Sequence, residues 1–256
     1  RVTTGAEARF TGYYEPELRG SRTRSATFAA PLYQRPPDLA DAPYLSRSEI
    51  AAGALAGRNL ELLWVDDPVD AFFLEIQGSG RIRLDDGSVT RVGFAGKNNH
   101  PYRAIGRILV ERGEMKVEDA SADAIRAWLR AQPDGGAALM NENPSYVFFT
   151  ERGDLNPDEG PIGAMGAPVT AGRSIAVDPA HHPLGAPIWV EATGVPGFEG
   201  RLMTAQDVGG AIKGPQRGDL FIGSGDEAGA FAGSLRAFGR MATLIPNAAI
   251  DRLALS

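Results

Sequence analysis

Two aspartates bracket the segment richest in residues that can do chemistry, Gln206-Asp-Val-Gly-Gly-Ala-Ile-Lys-Gly-Pro-Gln-Arg-Gly-Asp-Leu-Phe221. Its four glycines permit tight turns and close approach of backbone to a ligand. Asp207 and Asp219 each stand where a strand pattern meets a turn, the place where a rigid scaffold presents working side chains. A third strand pattern ends in Asp178-Pro179. Taken singly, an aspartate in such a place is well explained as a turn or cap residue. Three on one small scaffold leave that reading and a catalytic one equally open.

Other chemistries fare worse. A phosphate loop needs its lysine after the second glycine and before Ser or Thr, whereas Lys213 is followed by Gly214-Pro215. His181 and His182 are adjacent and His100 is distant, so metal-ligand spacing is missing, and the three read as surface or capping histidines. The chain has no cysteine, which excludes thiol nucleophiles, disulfides and thiolate metal sites. No Gly-x-Ser-x-Gly elbow occurs. What survives is carboxylate acid–base work, the chemistry of glycoside cleavage. Gln77-Gly-Ser-Gly80, at the junction of a strand pattern and a hairpin, offers an amide, a hydroxyl and open backbone to sugar hydroxyls and acetamido groups. On spacing alone it serves equally as an ordinary turn. Tyr13 and Tyr14 suit stacking on sugar faces, and also plain packing.

Bulk properties are compatible with such an enzyme. A length of 256 residues suits one large domain or two modest ones, with 43% hydrophobic and 23% charged residues. The net charge of -6 and pI of about 5.2 argue against holding nucleic acid by bulk charge. No apolar run is long enough to span a membrane, and no leader is visible in a sequence whose first residue is Arg1. With 32 glycines, 18 prolines and many short apolar runs, the chain reads as mainly β.

The elements that must carry these residues follow from pattern. Phe10 to Glu15 predicts an aromatic strand halted by Pro16, and Ser21 to Asp41 a loop or edge segment. Ser46 and Glu49 form a capping box for a short helix. Leu60 to Val65 and Ala71 to Gln77 are apolar runs of strand length, and a hairpin turns at Asp85-Asp86-Gly87. Helices are expected from Pro101, with Ile105, Ile108 and Leu109 inward, and from Ser121, with Ile125, Trp128 and Leu129 inward. Asn141 to Phe149 fits no single pattern, and the Gly/Pro-rich stretch Asp154 to Pro168 marks the domain boundary. Beyond it come five short strands, at Ser174 to Asp178, Pro187 to Glu191, Arg201 to Asp207, Asp219 to Gly223 and Arg240 to Ile245. One helix, capped by Ser224 with Glu227 and ending near Gly239, interrupts them, and the set suggests a small closed barrel.

Phe10-Thr-Gly-Tyr-Tyr-Glu-Pro16, Gln77-Gly-Ser-Gly80 and the Asp207 to Asp219 loop, in that order, resemble the membrane-bound lytic transglycosylase A family (MltA) from about Arg9 to Pro246. The C-terminal part resembles the "3D" domain, its three aspartates matching Asp178, Asp207 and Asp219. The resemblance implies a mainly β, two-domain fold with a groove between the domains. A double-psi β-barrel would comprise residues 1–15 and 151–256, and a smaller inserted β domain residues 16–150. It further implies cleavage of the β-1,4 bond between N-acetylmuramic acid and N-acetylglucosamine in peptidoglycan, with a 1,6-anhydromuramoyl end formed and no metal or organic cofactor. Asp219 matches the catalytic acid–base, with Asp207 as its tuner or orienter and Asp178 in barrel structure. Gln77, Gly78 and Ser79 match glycan-contacting positions, Thr11, Gly12 and Tyr13 line the groove beside the barrel, and Lys213 is a candidate contact or a solvated loop lysine. The partners implied are peptidoglycan strands, without nucleic acid, together with candidate cell-wall enzymes. The implied location is the periplasm, either anchored to the outer membrane through a lipid-bearing cysteine that this sequence does not contain or free of such an anchor. Two other functions fit the same residues: a glycoside hydrolase using Asp207 and Asp219 as a pair, and a non-catalytic glycan-binding module.

Overall fold

The computed structural model describes residues 7–153, 156 and 159–247, and the chain divides into two compact units, Arg1–Glu15 with Leu155–Ser256, and Pro16–Asp154. The first strand, β1 (Ala8–Glu15), belongs to the former unit and ends at Pro16.

The inserted unit is the longer in residues, where the resemblance implied the smaller. It contains β2 (Glu17–Ser21), β3 (Ala30–Tyr33), α1 (Arg47–Ala51), β4 (Glu61–Val65), α2 (Pro68–Gln77), β5 (Ser79–Leu84), β6 (Val89–Lys97), α3 (Ile105–Glu111), α4 (Ala122–Ala131), α5 (Ala137–Met140) and β7 (Val147–Glu151). Its strands form one sheet in the order β3-β4-β2-β5-β6-β7. Thus the expected loop after Ser21 contains a strand, and β2 follows β1 almost without pause.

The run Ala71 to Gln77, expected as a strand, is the body of helix α2. Its start and stop signals are in the sequence: the Asp67 carboxyl caps Val69 N–H, Pro68 opens the first turn, and left-handed Gly78 ends the helix. Periodicity concealed it because α2 is covered on two sides. Ala71 and Leu74 pack on the sheet, whereas Val69, Phe72 and Phe73 meet Ile105, Leu109 and Leu129 of α3 and α4. A helix buried on both flanks reads as a continuous apolar run. Helix α3 starts at Ile105, four residues beyond the expected Pro101. The approach to it is tied by side chains: Asn143 accepts from Arg103 N–H, and the His100 ring bonds the Tyr44 carbonyl. Ser46 and Ser121 cap α1 and α4 as their patterns indicated.

After the insert come β8 (Ser174–Ala176), β9 (Pro187–Ala192), β10 (Arg201–Asp207), β11 (Arg217–Ser224), α6 (Gly225–Ser234) and β12 (Arg236–Thr243). With β1 they close into a six-stranded barrel in the order β1-β11-β8-β10-β9-β12. The β1–β11 and β8–β10 pairs are parallel, and β1 also pairs antiparallel with β12, which completes the closure. The interior is filled by Phe10, Ile175, Val177, Ile188, Val190, Met203, Ala205, Leu220 and Met241. Alternation along each strand then turns the intervening residues outward. Ser224 does not cap α6 with its side chain as the pattern suggested. Its hydroxyl donates to buried Glu15 at 2.7 Å, and α6 ends at Ser234 so that Gly239 lies within β12.

Candidate active site

Phe10 and Leu220 face the barrel interior, so their neighbours Thr11 and Asp219 face out. Parallel pairing sets Thr11 opposite Asp219 and Tyr13 opposite Phe221. The Thr11 hydroxyl donates a short hydrogen bond to Asp219 Oδ1, and the Tyr13 ring leans on Phe221 with centroids 5.1 Å apart. Gly12 faces the other way, where a Cβ would come within 2.9 Å of the Ala232 backbone, so it lets α6 pack against β1.

Asp207 reaches the same outer face by a local irregularity. Along β8 and β10, Thr204 pairs with Ser174 and Ala205 with Ile175, but Ala176 pairs with Asp207 rather than Gln206. This one-residue bulge re-aims the strand end. Without it, Asp207 would follow Ala205 into the barrel. Asp219 pairs with that same Ala176 from the other side. The two aspartates are therefore two strands apart, with Cα atoms about 10 Å from each other by strand spacing.

Each carboxyl is partly exposed yet flanked by protein on most sides. Burial raises the pKa of Asp219 above the ordinary range, opposed by the Thr11 hydrogen bond and the Arg217 guanidinium and reinforced by the charge of Asp207. Burial likewise raises Asp207, against the Val208 and Ala164 N–H groups, which both donate to its Oδ1 at 2.9 and 3.0 Å. Those two bonds fix the Asp207 carboxyl in place. The turn that supplies Ala164 rests on β10, with Met165 N–H donating to the Gln206 carbonyl. The Tyr13 hydroxyl approaches Asp207 as a donor without a well-formed hydrogen bond. Burial and both aspartate charges hold it well above the ordinary phenol range, so Tyr13 stays protonated.

Asp178 works elsewhere. Its carboxyl accepts from Gly214 N–H at 2.8 Å and Ala180 N–H at 3.2 Å, and these bonds hold it below the ordinary aspartate range. His182 pins the same loop by donating from Nε2 to the Pro215 carbonyl at 2.9 Å, leaving Nδ1 to accept from Thr243. The glycine-rich loop is thus anchored at its far end by two side chains from one turn. Lys213 stands exposed on it. Gln77, Gly78 and Ser79 belong to the inserted unit, at the end of α2 and the start of β5, all partly exposed. Gly78 adopts a φ of 80°, which glycine alone takes without strain.

Sequence reasoning passed over one contributor. Arg217 lies two residues before Asp219 and so on the same face of β11, a signal that strand alternation carries. Its Nη2 donates to the Thr11 hydroxyl at 2.7 Å. Among the described residues, no group of three or more His, Asp and Glu side chains converges on a point where a metal could sit.

The pattern described as the MltA specific insert domain matches residues 9–150, more than half of the chain, and the 3D domain matches residues 173–245. The chain belongs to the MltA family. The membrane-bound lytic murein transglycosylase A of Escherichia coli K12 is 39% identical over 91% of this chain. This chain spans 64% of the length of that relative. A membrane-bound lytic murein transglycosylase from Agrobacterium tumefaciens superposes with a TM-score of 0.87 at 36% identity, covering 96% of this chain and 75% of that one. Escherichia coli MltA solved with bound chitohexaose superposes with a TM-score of 0.82 at 37% identity, covering 93% and 71%. Both structures share the mainly β architecture described above.

Proposed function

We propose that this MltA family member is a lytic transglycosylase that cleaves the β-1,4 bond between N-acetylmuramic acid and N-acetylglucosamine in peptidoglycan. The observation that carries the reading is Asp219 itself: a reachable carboxyl whose ionisation burial opposes, held by one hydroxyl and in no ion pair among the described residues. The names of its relatives and the chitohexaose bound to one of them supply the substrate class. Thr11 donates to Oδ1, so the acid proton resides on Oδ2. Asp219 gives that proton to the glycosidic oxygen as the C1–O bond breaks. The carboxylate then takes the proton of the muramoyl C6 hydroxyl as that oxygen bonds to C1. The product is a 1,6-anhydro ring. Hydrolysis needs a second carboxylate as nucleophile or to activate water, whereas self-attack needs one.

In this reading Asp207 tunes and orients, since backbone N–H groups already hold its Oδ1. Gln77, Gly78, Ser79, Thr11 and Tyr13 contact the glycan, with Lys213 as a further contact, and Gly12 serves by packing. We place the protein in the periplasm, and the membrane-bound naming of its relatives supports attachment to the cell envelope. Mass spectrometry of muropeptides released from purified sacculi tests the reaction. Anhydro ends, lighter by one water than reducing ends, are expected. Reducing ends alone would assign a hydrolase instead.

Two variants probe the supporting residues. The charge of Asp207 raises the pKa of Asp219, so Asp207→Asn lowers it. The acid is then lost at a lower pH, and the alkaline limb of the kcat/KM profile is expected to move down while the rate falls. An unmoved limb would remove Asp207 from the tuning role. Gln77→Ala is expected to weaken chitohexaose binding by about 1–3 kcal/mol, the cost of an unpaired buried sugar group. Calorimetry showing unchanged affinity would place Gln77 outside the binding surface.

A further inference from the structure

The guanidinium of Arg217 stops one hydroxyl short of Asp219. Its Nη2 donates to Thr11 Oγ1 at 2.7 Å, and Thr11 donates onward to Asp219 Oδ1. Its Nη1 donates to the carbonyls of Gly218 at 2.6 Å and Arg9 at 3.4 Å, so the half-buried side chain is held by backbone. No ion pair joins Arg217 to a carboxylate among the described residues. This spacing has a chemical consequence. Direct contact with a guanidinium stabilises a carboxylate strongly enough to hold it ionised, which would deprive Asp219 of its proton. A hydroxyl that already accepts from a cation is polarised, making it a better donor and a poorer second acceptor. Thr11 is therefore biased to donate to Oδ1 whether Asp219 is ionised or not. The proton of the acid form is confined to Oδ2, and the carboxylate, once formed, is stabilised from behind.

We propose that Arg217 is a positioning residue that acts on Asp219 through the Thr11 hydroxyl, directing the proton to Oδ2 and setting the balance between acid and base forms. The proposal rests on the acid–base role given to Asp219 above. The groups facing Asp219 are Thr11 and Tyr13 from β1, Arg217 from β11 and Asp207 from β10, with Arg9 acting on the guanidinium and β8 contributing only Ala176. Of these, Arg217 alone is a cation acting on the carboxyl. Burial opposes ionisation of Asp219, and the arginine favours it.

The test is an NMR titration of the isotope-labelled Asp219 carboxyl in the intact chain, paired with the pH dependence of kcat/KM on sacculi. Removing the cation destabilises the carboxylate, so Arg217→Gln is expected to raise the titration midpoint and the alkaline limb together, by about half a unit to one unit. Arg217→Lys, which keeps the charge and a donor, is expected to restore most of the wild-type position. In a Thr11→Val background, adding Arg217→Gln is expected to shift the midpoint by less than half of its effect alone. An unmoved midpoint in Arg217→Gln overturns the proposal. So does an equal shift with and without the Thr11 hydroxyl, which would assign the effect to charge through space. The titration reads Asp219 directly, so it decides the role of Arg217 even if product analysis were to show a hydrolase.

Discussion

Asp219→Asn is expected to reduce cleavage of sacculi by about a thousandfold or more, near the upper range of what a positioned acid–base group contributes. The amide is nearly the same size and can still accept the Thr11 hydrogen bond, so the barrel face keeps its shape. It cannot give a proton to the leaving oxygen or take one from the C6 hydroxyl. Affinity for chitohexaose is expected to stay within a few fold of wild type, because only the proton transfer is lost. Turnover of labelled sacculi and calorimetry separate the two quantities. Retained turnover would remove Asp219 from the mechanism. A parallel loss of binding and turnover would make it a ligand contact instead.

The second large effect is expected at a buried ion pair in the inserted unit. Arg47 clasps Glu75 with two hydrogen bonds of 2.9 and 2.8 Å, donates to the Asn143 and Ser145 carbonyls, and lies over the rings of Phe72 and Tyr146. Glu75 also accepts from Val147 N–H, so one pair ties α1, α2 and the start of β7 together. Burial raises the pKa of the Glu75 carboxyl, and Arg47 opposes that shift. Removing one partner strands the other without water, so Glu75→Ala is expected to cost about 3–5 kcal/mol. Replacing both as Arg47→Met with Glu75→Leu is expected to cost much less than the sum of the singles. Denaturant unfolding followed through Trp64 and Trp128, both in this unit, reads the difference. A nearly neutral Glu75→Ala would show that water reaches the pair. Glu75 lies two residues before Gln77 on α2, so the same lock holds the proposed glycan-binding turn in place.

Much of this arrangement was legible from residues alone. Asp207 and Asp219 stand near strand ends around a glycine-rich loop in which Gly214 takes a left-handed φ, and the hairpin at Asp85-Asp86-Gly87 and the caps at Ser46 and Ser121 announced themselves through local chemistry. What failed was information that local patterns do not carry. Helix α2 is apolar on two sides and lost its period, although Asp67, Pro68 and Gly78 marked its ends. Ser224 had a nearer use for its hydroxyl in Glu15, a residue 209 positions away. The bulge that turns Asp207 outward is a mismatch between β8 and β10, and neither strand records it alone. Closure of the barrel by β1 depends on pairing across the whole insert, which no local pattern carries and which the family resemblance alone supplied. Arg217 was an avoidable omission, since its spacing from Asp219 already placed both on one face.

Of all these expectations, the return of the proton to Asp219 without any attacking water is the one on which the rest depends. Cleaving sacculi in water enriched in heavy oxygen, with the new muramoyl ends analysed by mass, tests it most directly. Internal attack by the C6 hydroxyl predicts anhydro ends carrying no solvent oxygen. A heavy oxygen atom at C1 of the freshly released ends would contradict the account.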